Sequence, residues 1–166
     1  MAAVPYIETH AAEGFVRASA LELWNLLTDP KGLADSRDDI QEIELLEDDL
    51  GIGDVGGRTR TMLKVGRTDL MLTEETVEAD RPRRLVRRAL NPRVTSTSTW
   101  ELEDAPGGTK VTVTSVLETQ LGMIQRWAVQ RGQLQRGREA IDAVRDQCEQ
   151  FSVYFDKRRE TLSFDI

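Results

Sequence analysis

With 166 residues, 39% of them hydrophobic and 31% charged, the chain has the size and make-up of one folded domain, residues 1–166, with a real core. No apolar run approaches the ~18 residues of a membrane span, and the net charge of −7 argues against nucleic-acid binding, which needs a basic face. A single cysteine, Cys148, excludes an internal disulfide. Residues 1–10, which lack a basic region and a long apolar segment, read as a loose N-terminal segment without a signal peptide. These points favour the cytoplasm.

The charge is unevenly spread. Asp29 to Asp54 holds ten acids and two bases, and Arg81 to Arg93 holds six arginines and no acid. Both runs read as solvated surface, or as patches that meet a partner of opposite charge.

Ala12 to Arg17 reads as a first strand. Ser19 and Glu22 fit a capping box, in which side chains satisfy orphan amides at a helix start. Leu21, Leu23, Trp24, Leu26 and Leu27 give that helix a broad apolar face, and Asp29-Pro30 ends it. Lys31 to Asp39 reads as a short polar helix or a loop. Ile40 to Leu46 is a second strand. Gly51, Gly53 and Gly56 spell G-x-G-x-x-G, but the dinucleotide fingerprint needs a helix to follow. Arg58 to Val65 is a strand pattern instead, so the glycines read as a turn.

Further strands are expected at Thr68 to Glu78, Arg84 to Leu90 (interrupted by Asn91-Pro92), Thr95 to Glu103 and Lys110 to Glu118. Ala105-Pro106-Gly107-Gly108 is a hairpin signal. Short turns between consecutive strands require antiparallel pairing. Leu121 to Arg159 then carries Leu121, Ile124, Trp127, Leu134, Ile141, Val144, Cys148, Phe151 and Phe155 at helical spacing. At ~1.5 Å per residue such a helix would run on the order of 57 Å, beyond the roughly 30–40 Å of a domain this size. A break is expected at Gly132 or Gly137, where glycine weakens the helix.

The fold expected is α+β of the helix-grip kind: a curved antiparallel sheet of about seven strands wrapped on a long C-terminal helix, with one or two short helices after the first strand. Four stretches carry a family resemblance: residues 15–30, strand-turn-helix ending Thr28-Asp29-Pro30; the Gly51-Ile52-Gly53 turn; residues 77–86, with Asp80-Arg81-Pro82; and Trp100-Glu101-Leu102-Glu103 followed by Gly107 to Val113. In that order they span nearly the whole chain. The chain resembles the START-type helix-grip (SRPBCC) superfamily, and within it the polyketide cyclase/dehydrase-like branch. Leu33-Ala34-Asp35-Ser36-Arg37 departs from the aromatic residues that relatives often carry after the first helix. The resemblance implies a hydrophobic ligand between sheet and C-terminal helix. It covers cyclases and aromatases, carriers, and co-chaperone-like interaction modules, and it implies no shared catalytic set.

Parity selects candidate site residues. Arg87 and Arg88 are adjacent in a strand, so one must point inward. If Leu85 faces inward, so does Arg87, and pairing Val77 with Leu85 sets Glu75 opposite Arg87 as a cavity ion pair and a weak candidate for catalysis. A tight Gly66-Arg67 hairpin would instead turn Leu70, Leu72 and Glu74 inward. Alternatively both charges reach water at the rim. Ser96, Ser98 and Ser115 share inner faces with Trp100, Leu102 and Val113, offering hydroxyls to a ligand or to the backbone. Trp127 could stack on a planar ligand. Arg131, Leu134 and Arg138 continue the helical stripe, as cavity wall or as a solvated overhang. The ligand-binding set is thus Glu75, Arg87, Ser98, Trp100, Ser115, Trp127, Arg131 and Leu134. His10, the only histidine, falls in the poorly patterned segment and shows no held geometry for base catalysis. No zinc or Cys/His pair is visible, the acidic run Asp35 to Asp39 lacks a calcium-loop pattern, and no cofactor is expected. The partner expected is a hydrophobic small molecule, oxygenated or acidic, with a homodimer left open. The alternative is a protein-interaction module using the acidic and arginine-rich patches.

Overall fold

A computed structural model of the chain describes residues 5–90 and 94–164. The interruption expected at Asn91-Pro92 lies outside the described residues. The strands are β1 (Pro5–Val16), β2 (Ile40–Leu45), β3 (Arg58–Val65), β4 (Thr68–Asp80), β5 (Arg84–Ala89), β6 (Val94–Ala105) and β7 (Gly108–Gln120). They form one seven-stranded antiparallel sheet in the order β1-β7-β6-β5-β4-β3-β2. Two short helices, α1 (Ala20–Leu27) and α2 (Pro30–Ser36), follow β1, and α3 (Met123–Arg131) and α4 (Gln133–Phe164) close the chain. This is the helix-grip architecture expected. No helix among the described residues is long and apolar enough to cross a membrane.

Local chemistry accounts for the joints. Ser19 caps α1, its Oγ accepting from the Glu22 amide at 3.1 Å. The glycine run is a turn, with Gly56 at φ +91°, a left-handed conformation that suits glycine alone. A side chain at Gly57 would run into the Gly51 carbonyl oxygen. The long helix breaks at Gly132, one of the two expected points, while Gly137 lies within α4.

β1 begins much earlier than Ala12. Pro5 to His10, expected as a loose segment, pairs with Gln120 to Ser115 of β7. Its inward positions Tyr6 and Glu8 are buried and His10 is half-buried. A strand whose inner face is polar carries no hydrophobic alternation, so period-2 apolar patterning misses it.

The core lies between the sheet's concave face, α1 and the C-terminal half of α4. Val16, Leu23, Ile52, Val111 and Phe151 are fully buried, and Val144, Cys148 and Phe155 continue the α4 stripe into it. Burial pushes the Cys148 thiol up to about 11, which leaves it an inert packing group. α4 lies close on β1 because Gly14 has no side chain. A Cβ there would stand 2.5 Å from Cys148 Sγ. Gly14→Ala is therefore expected to cost about 1–3 kcal/mol by overpacking. Adding Cys148→Ala should give a double variant less destabilised than the sum of the two single changes. Urea unfolding of the four proteins checks this, and strict additivity would contradict it.

Candidate functional site

Register places the site before any side chain is considered. Leu85 and Arg87 share the inner face of β5. Ser98 lies opposite Arg87, Ser115 opposite Ser98, and His10 opposite Ser115. One polar rung, Arg87–Ser98–Ser115–His10, therefore crosses four neighbouring strands. The next rung is apolar: Leu85–Trp100–Val113–Ala12. Strands stand about 4.8 Å apart, so the polar rung spans roughly 14 Å along a sheet that curves towards α4.

Both rungs line a cavity of about 280 Å³, near the lower end of the ~300–1,000 Å³ typical of small-molecule pockets. α4 roofs it with Ala140, Ala143, Val144, Gln147 and Phe151. Leu27, Leu33, Arg37, Ile40 and Ile43 close the far end, and Thr61, Leu63, Leu72 and Glu74 form the β3–β4 wall.

Arg87 is the charged anchor of this wall, only 8% exposed. Its Nε donates to Thr76 Oγ1 at 3.2 Å and its Nη2 to Thr59 Oγ1 at 2.9 Å. Its Nη1 stands 3.6 Å from Glu74 Oε1, an ion pair beyond hydrogen-bond reach. Burial pulls the guanidinium down from its ordinary value, with Glu74 acting the other way. It nonetheless stays charged, as arginine does in proteins. On the same wall, Thr61 Oγ1 is buried and has no hydrogen-bond partner among the described residues. The pocket wall thus holds one hydroxyl without a partner, on Thr61, beside a guanidinium whose hydrogen bonds go to neutral oxygens.

At the other end of the rung lies a group that sequence reasoning passed over. Glu8 is 1% exposed and collects four short contacts. Tyr6 Oη donates to it at 2.8 Å, Arg136 Nε and Nη2 at 2.8 and 2.6 Å, and His10 Nε2 stands 2.7 Å from Glu8 Oε2. Arg136 Nη2 also reaches the Val129 carbonyl at 2.6 Å, so one guanidinium ties the end of α3 and the start of α4 to β1. The Arg136 hydrogen bonds, helped by His10 and Tyr6 and opposed by burial, hold the Glu8 carboxyl at about 2. Glu8 in turn raises Arg136, while burial first and Glu8 second raise the Tyr6 phenol.

The sign of the Glu8 shift sets an acid limit. A carboxyl lowered from 4.5 to about 2 on folding stabilises fully above its unfolded value and loses that contribution as pH falls through about 2. Between pH 4.5 and 2, urea unfolding should show the wild type losing more stability than Glu8→Gln. Parallel pH curves for the two proteins would contradict the network.

The other candidates fall as follows. Ser98, Trp100 and Ser115 line the cavity with Arg87. Glu75 does not: it stands opposite Arg58 and Arg88 in register, on the outer face, and Glu74 takes the place proposed for it. The cause is twofold. Val65 pairs with Thr68 across a tight Gly66-Arg67 hairpin, and Ala79 rather than Val77 stands opposite Leu85, after which a bulge between Thr76 and Glu78 sets Thr76 opposite Arg87. Trp127, Arg131 and Leu134 lie outside the cavity wall. Trp127 is 60% and Leu134 81% exposed, and the Arg131 guanidinium stacks over the Trp127 ring at 4.4 Å. Arg138 is exposed, and Arg136 turns inward in its stead. Of the arginine run, Arg84 pairs with Glu78 and Glu101 and Arg87 is interior, paired with Glu74. Among the described residues no group of three His, Cys, Asp or Glu could hold a metal ion.

Residues 11–149 match the family model described as polyketide cyclase / dehydrase and lipid transport. No curated protein matches the chain. Among solved structures, an uncharacterised protein from Rhizobium leguminosarum is 14% identical with a TM-score of 0.65, covering 95% of this chain and 99% of its own. Protein NE0264 from Nitrosomonas europaea is 15% identical with a TM-score of 0.64, covering 92% and 97%. Ara h 8.0201 is 15% identical with a TM-score of 0.58, covering 84% and 97%. At these identities the likeness shows the fold.

Proposed function

The chain belongs to the polyketide cyclase/dehydrase and lipid transport family, and from that premise we propose that it binds a planar hydrophobic small molecule carrying a carbonyl or carboxylate oxygen, in the cavity between sheet and α4. The observation that carries this reading is Arg87. A guanidinium taken out of water needs strong partners, yet this one has two threonine hydroxyls, the Glu74 carbonyl at 3.4 Å and a carboxylate at 3.6 Å. A ligand oxygen would complete its shell through charge-assisted hydrogen bonds. The orphan hydroxyl of Thr61 on the same wall supports the same placement. The apolar rung of Leu85, Trp100, Val113 and Ala12 would take the ligand's ring face, and about 280 Å³ suits one or two fused rings rather than a long acyl chain.

Titration with 1-anilinonaphthalene-8-sulfonate (ANS), an anionic aromatic probe, tests the reading alongside native mass spectrometry of freshly purified protein. One saturable site, or a co-purified small molecule, is expected. Protein that carries no small molecule and gives no saturable fluorescence change would sink the proposal.

A further inference from the structure

We infer that the end of the molecule carrying α3 and the β3–β4 hairpin docks on an anionic phospholipid surface. The inference concerns the outside of the protein and stands without the ligand reading above.

Strand register brings the two elements to one end. Pro5 pairs with Gln120 and α3 starts at Met123, so α3 leaves the sheet where β1 begins. It is pinned there. Arg126 Nη2 donates to the Pro5 carbonyl at 3.1 Å, and Arg136 ties the Val129 carbonyl to Glu8. The Gly66-Arg67 turn lies at the same end. Glu74 stands opposite Ala89, the last residue of β5, so residues 68–73 of β4 and the β3 residues paired with them project past β5.

Both elements expose apolar side chains that the core does not use. Leu63 and Leu72 line the cavity. The next positions of the same parity, Val65 and Leu70, are 58% and 47% exposed. The apolar inner wall of the hairpin thus runs out of the cavity onto the surface. On the helical side Trp127 and Leu134 are more exposed still. A single exposed leucine needs no account, but apolar side chains gathered at one end on two elements mark a contact surface.

The charge of this end selects the partner. The chain carries −7 overall, yet residues 121–138 hold four arginines and no acid. Of these Arg131 and Arg138 are exposed, as are Lys64 and Arg67 on the hairpin. Asp69, Glu118 and Glu139 stand nearby, Asp69 held by Gln41 at 3.0 Å and Glu139 by Gln135 at 3.1 Å. Glu47, Asp48, Asp49 and Asp54 precede Arg58 and so lie at the opposite end of β3. The protein is therefore polarised along its strands. Tryptophan favours the boundary between headgroups and acyl chains, and an arginine stem can lie on apolar surface while its head reaches phosphate. Arg131 stacked over Trp127 at 4.4 Å already pairs the two groups in that way. Cations beside the apolar tips draw them to an anionic leaflet. A bilayer accepts tips that share no single groove, whereas a protein partner requires a complementary shape.

Flotation of the full chain with vesicles of phosphatidylcholine, with and without phosphatidylglycerol, tests this. Binding to the anionic vesicles should be at least ~10-fold tighter than to the zwitterionic ones and should weaken with salt. Trp24 is buried and Trp100 lines the cavity, so a blue shift of tryptophan emission on the vesicles reports Trp127. Trp127→Ser should abolish the shift and weaken binding, and Arg131→Gln/Arg138→Gln should weaken it by roughly 10-fold or more. Both variants change exposed side chains and should unfold in urea as the wild type does. Arg87→Met, altered only inside, should bind vesicles like the wild type, which separates this surface from the ligand reading. Failure to float with anionic vesicles, equal binding to both vesicle types, or binding that both surface variants leave unchanged would overturn the inference. A dimer that Trp127→Ser dissolves, without vesicle binding, would overturn it too and assign the face to a second copy of the chain.

Discussion

Phe151→Ala is expected to destabilise the protein by about 3–5 kcal/mol, the largest loss of any single truncation at the roof of the cavity. Phe151 is fully buried. Its ring meets Trp100 of the apolar rung at 6.3 Å between centroids, tilted by 52°, within the range of favourable aromatic pairs. It is also the point where the sheet's inner face, the core stripe of α4 and the cavity meet. Its neighbour Ser152 is fully buried and accepts from the Arg17 amide at 3.0 Å, which fixes the backbone so that it does not collapse into the space left behind. Guanidinium unfolding should show a lower midpoint with an unchanged slope. A loss under about 1 kcal/mol would mean that α4 is not gripped through this contact.

The second large effect concerns affinity. Arg87→Met is expected to weaken ANS binding by at least ~10-fold, the equivalent of roughly 1.5–3 kcal/mol for a hydrogen bond to a charged group. Stability should change by about 1 kcal/mol or less, because a buried charge pair replaced by apolar packing is often neutral or stabilising. Glu74 would lose its partner, but its side chain is 21% exposed and can be hydrated. The double variant Arg87→Met/Glu74→Gln removes both charges and should fold at least as well as Arg87→Met alone. Fluorescence titration and urea unfolding of the same preparations separate the two effects. Equal loss of stability with unchanged affinity would assign Arg87 to the fold instead.

The parts of this molecule that depend on local chemistry were legible in its sequence. The Ser19–Glu22 cap, the Gly66-Arg67 and Pro106-Gly107 turns and a helix break at one of two glycines, which falls at Gly132 rather than Gly137, each follow from residue type over a few positions. So did the inward parity of Arg87, Ser98, Trp100 and Ser115, which needs only alternation within a strand. Pairing between strands was less accessible. The bulge near Val77 inserts one residue into β4 and no residue type announces it, although the tight Gly66-Arg67 hairpin already offers Glu74 as the inward alternative to Glu75, with Leu72; Leu70, offered with them, is exposed.

Helical phase misled for a different reason. Leu134, Ile141, Cys148 and Phe155 repeat every seven residues, but an α-helix drifts about 20° per heptad. Leu134 is three heptads before Phe155, so it has rotated roughly 60° off the core face and is exposed. The start of a new helix after Gly132 also frees Trp127 and Arg131 from that face altogether. The Tyr6–Glu8–His10 edge was invisible because its inner positions are polar. Only the inward parity of Glu8 and His10 with Ala12, read back from a secure strand, could have suggested it.

The account turns on Arg87 recognising ligand oxygen in a cavity that joins a polar to an apolar rung. Displacement of ANS by 2-naphthoate and by oxygen-free 2-methylnaphthalene, in wild type and in Arg87→Met, measures this directly. At least a ~10-fold preference of the wild type for the carboxylate, shrinking to within about threefold in Arg87→Met, is the result predicted from one charge-assisted anchor. A preference unchanged by loss of the arginine, or a wild type that favours the hydrocarbon, would contradict it.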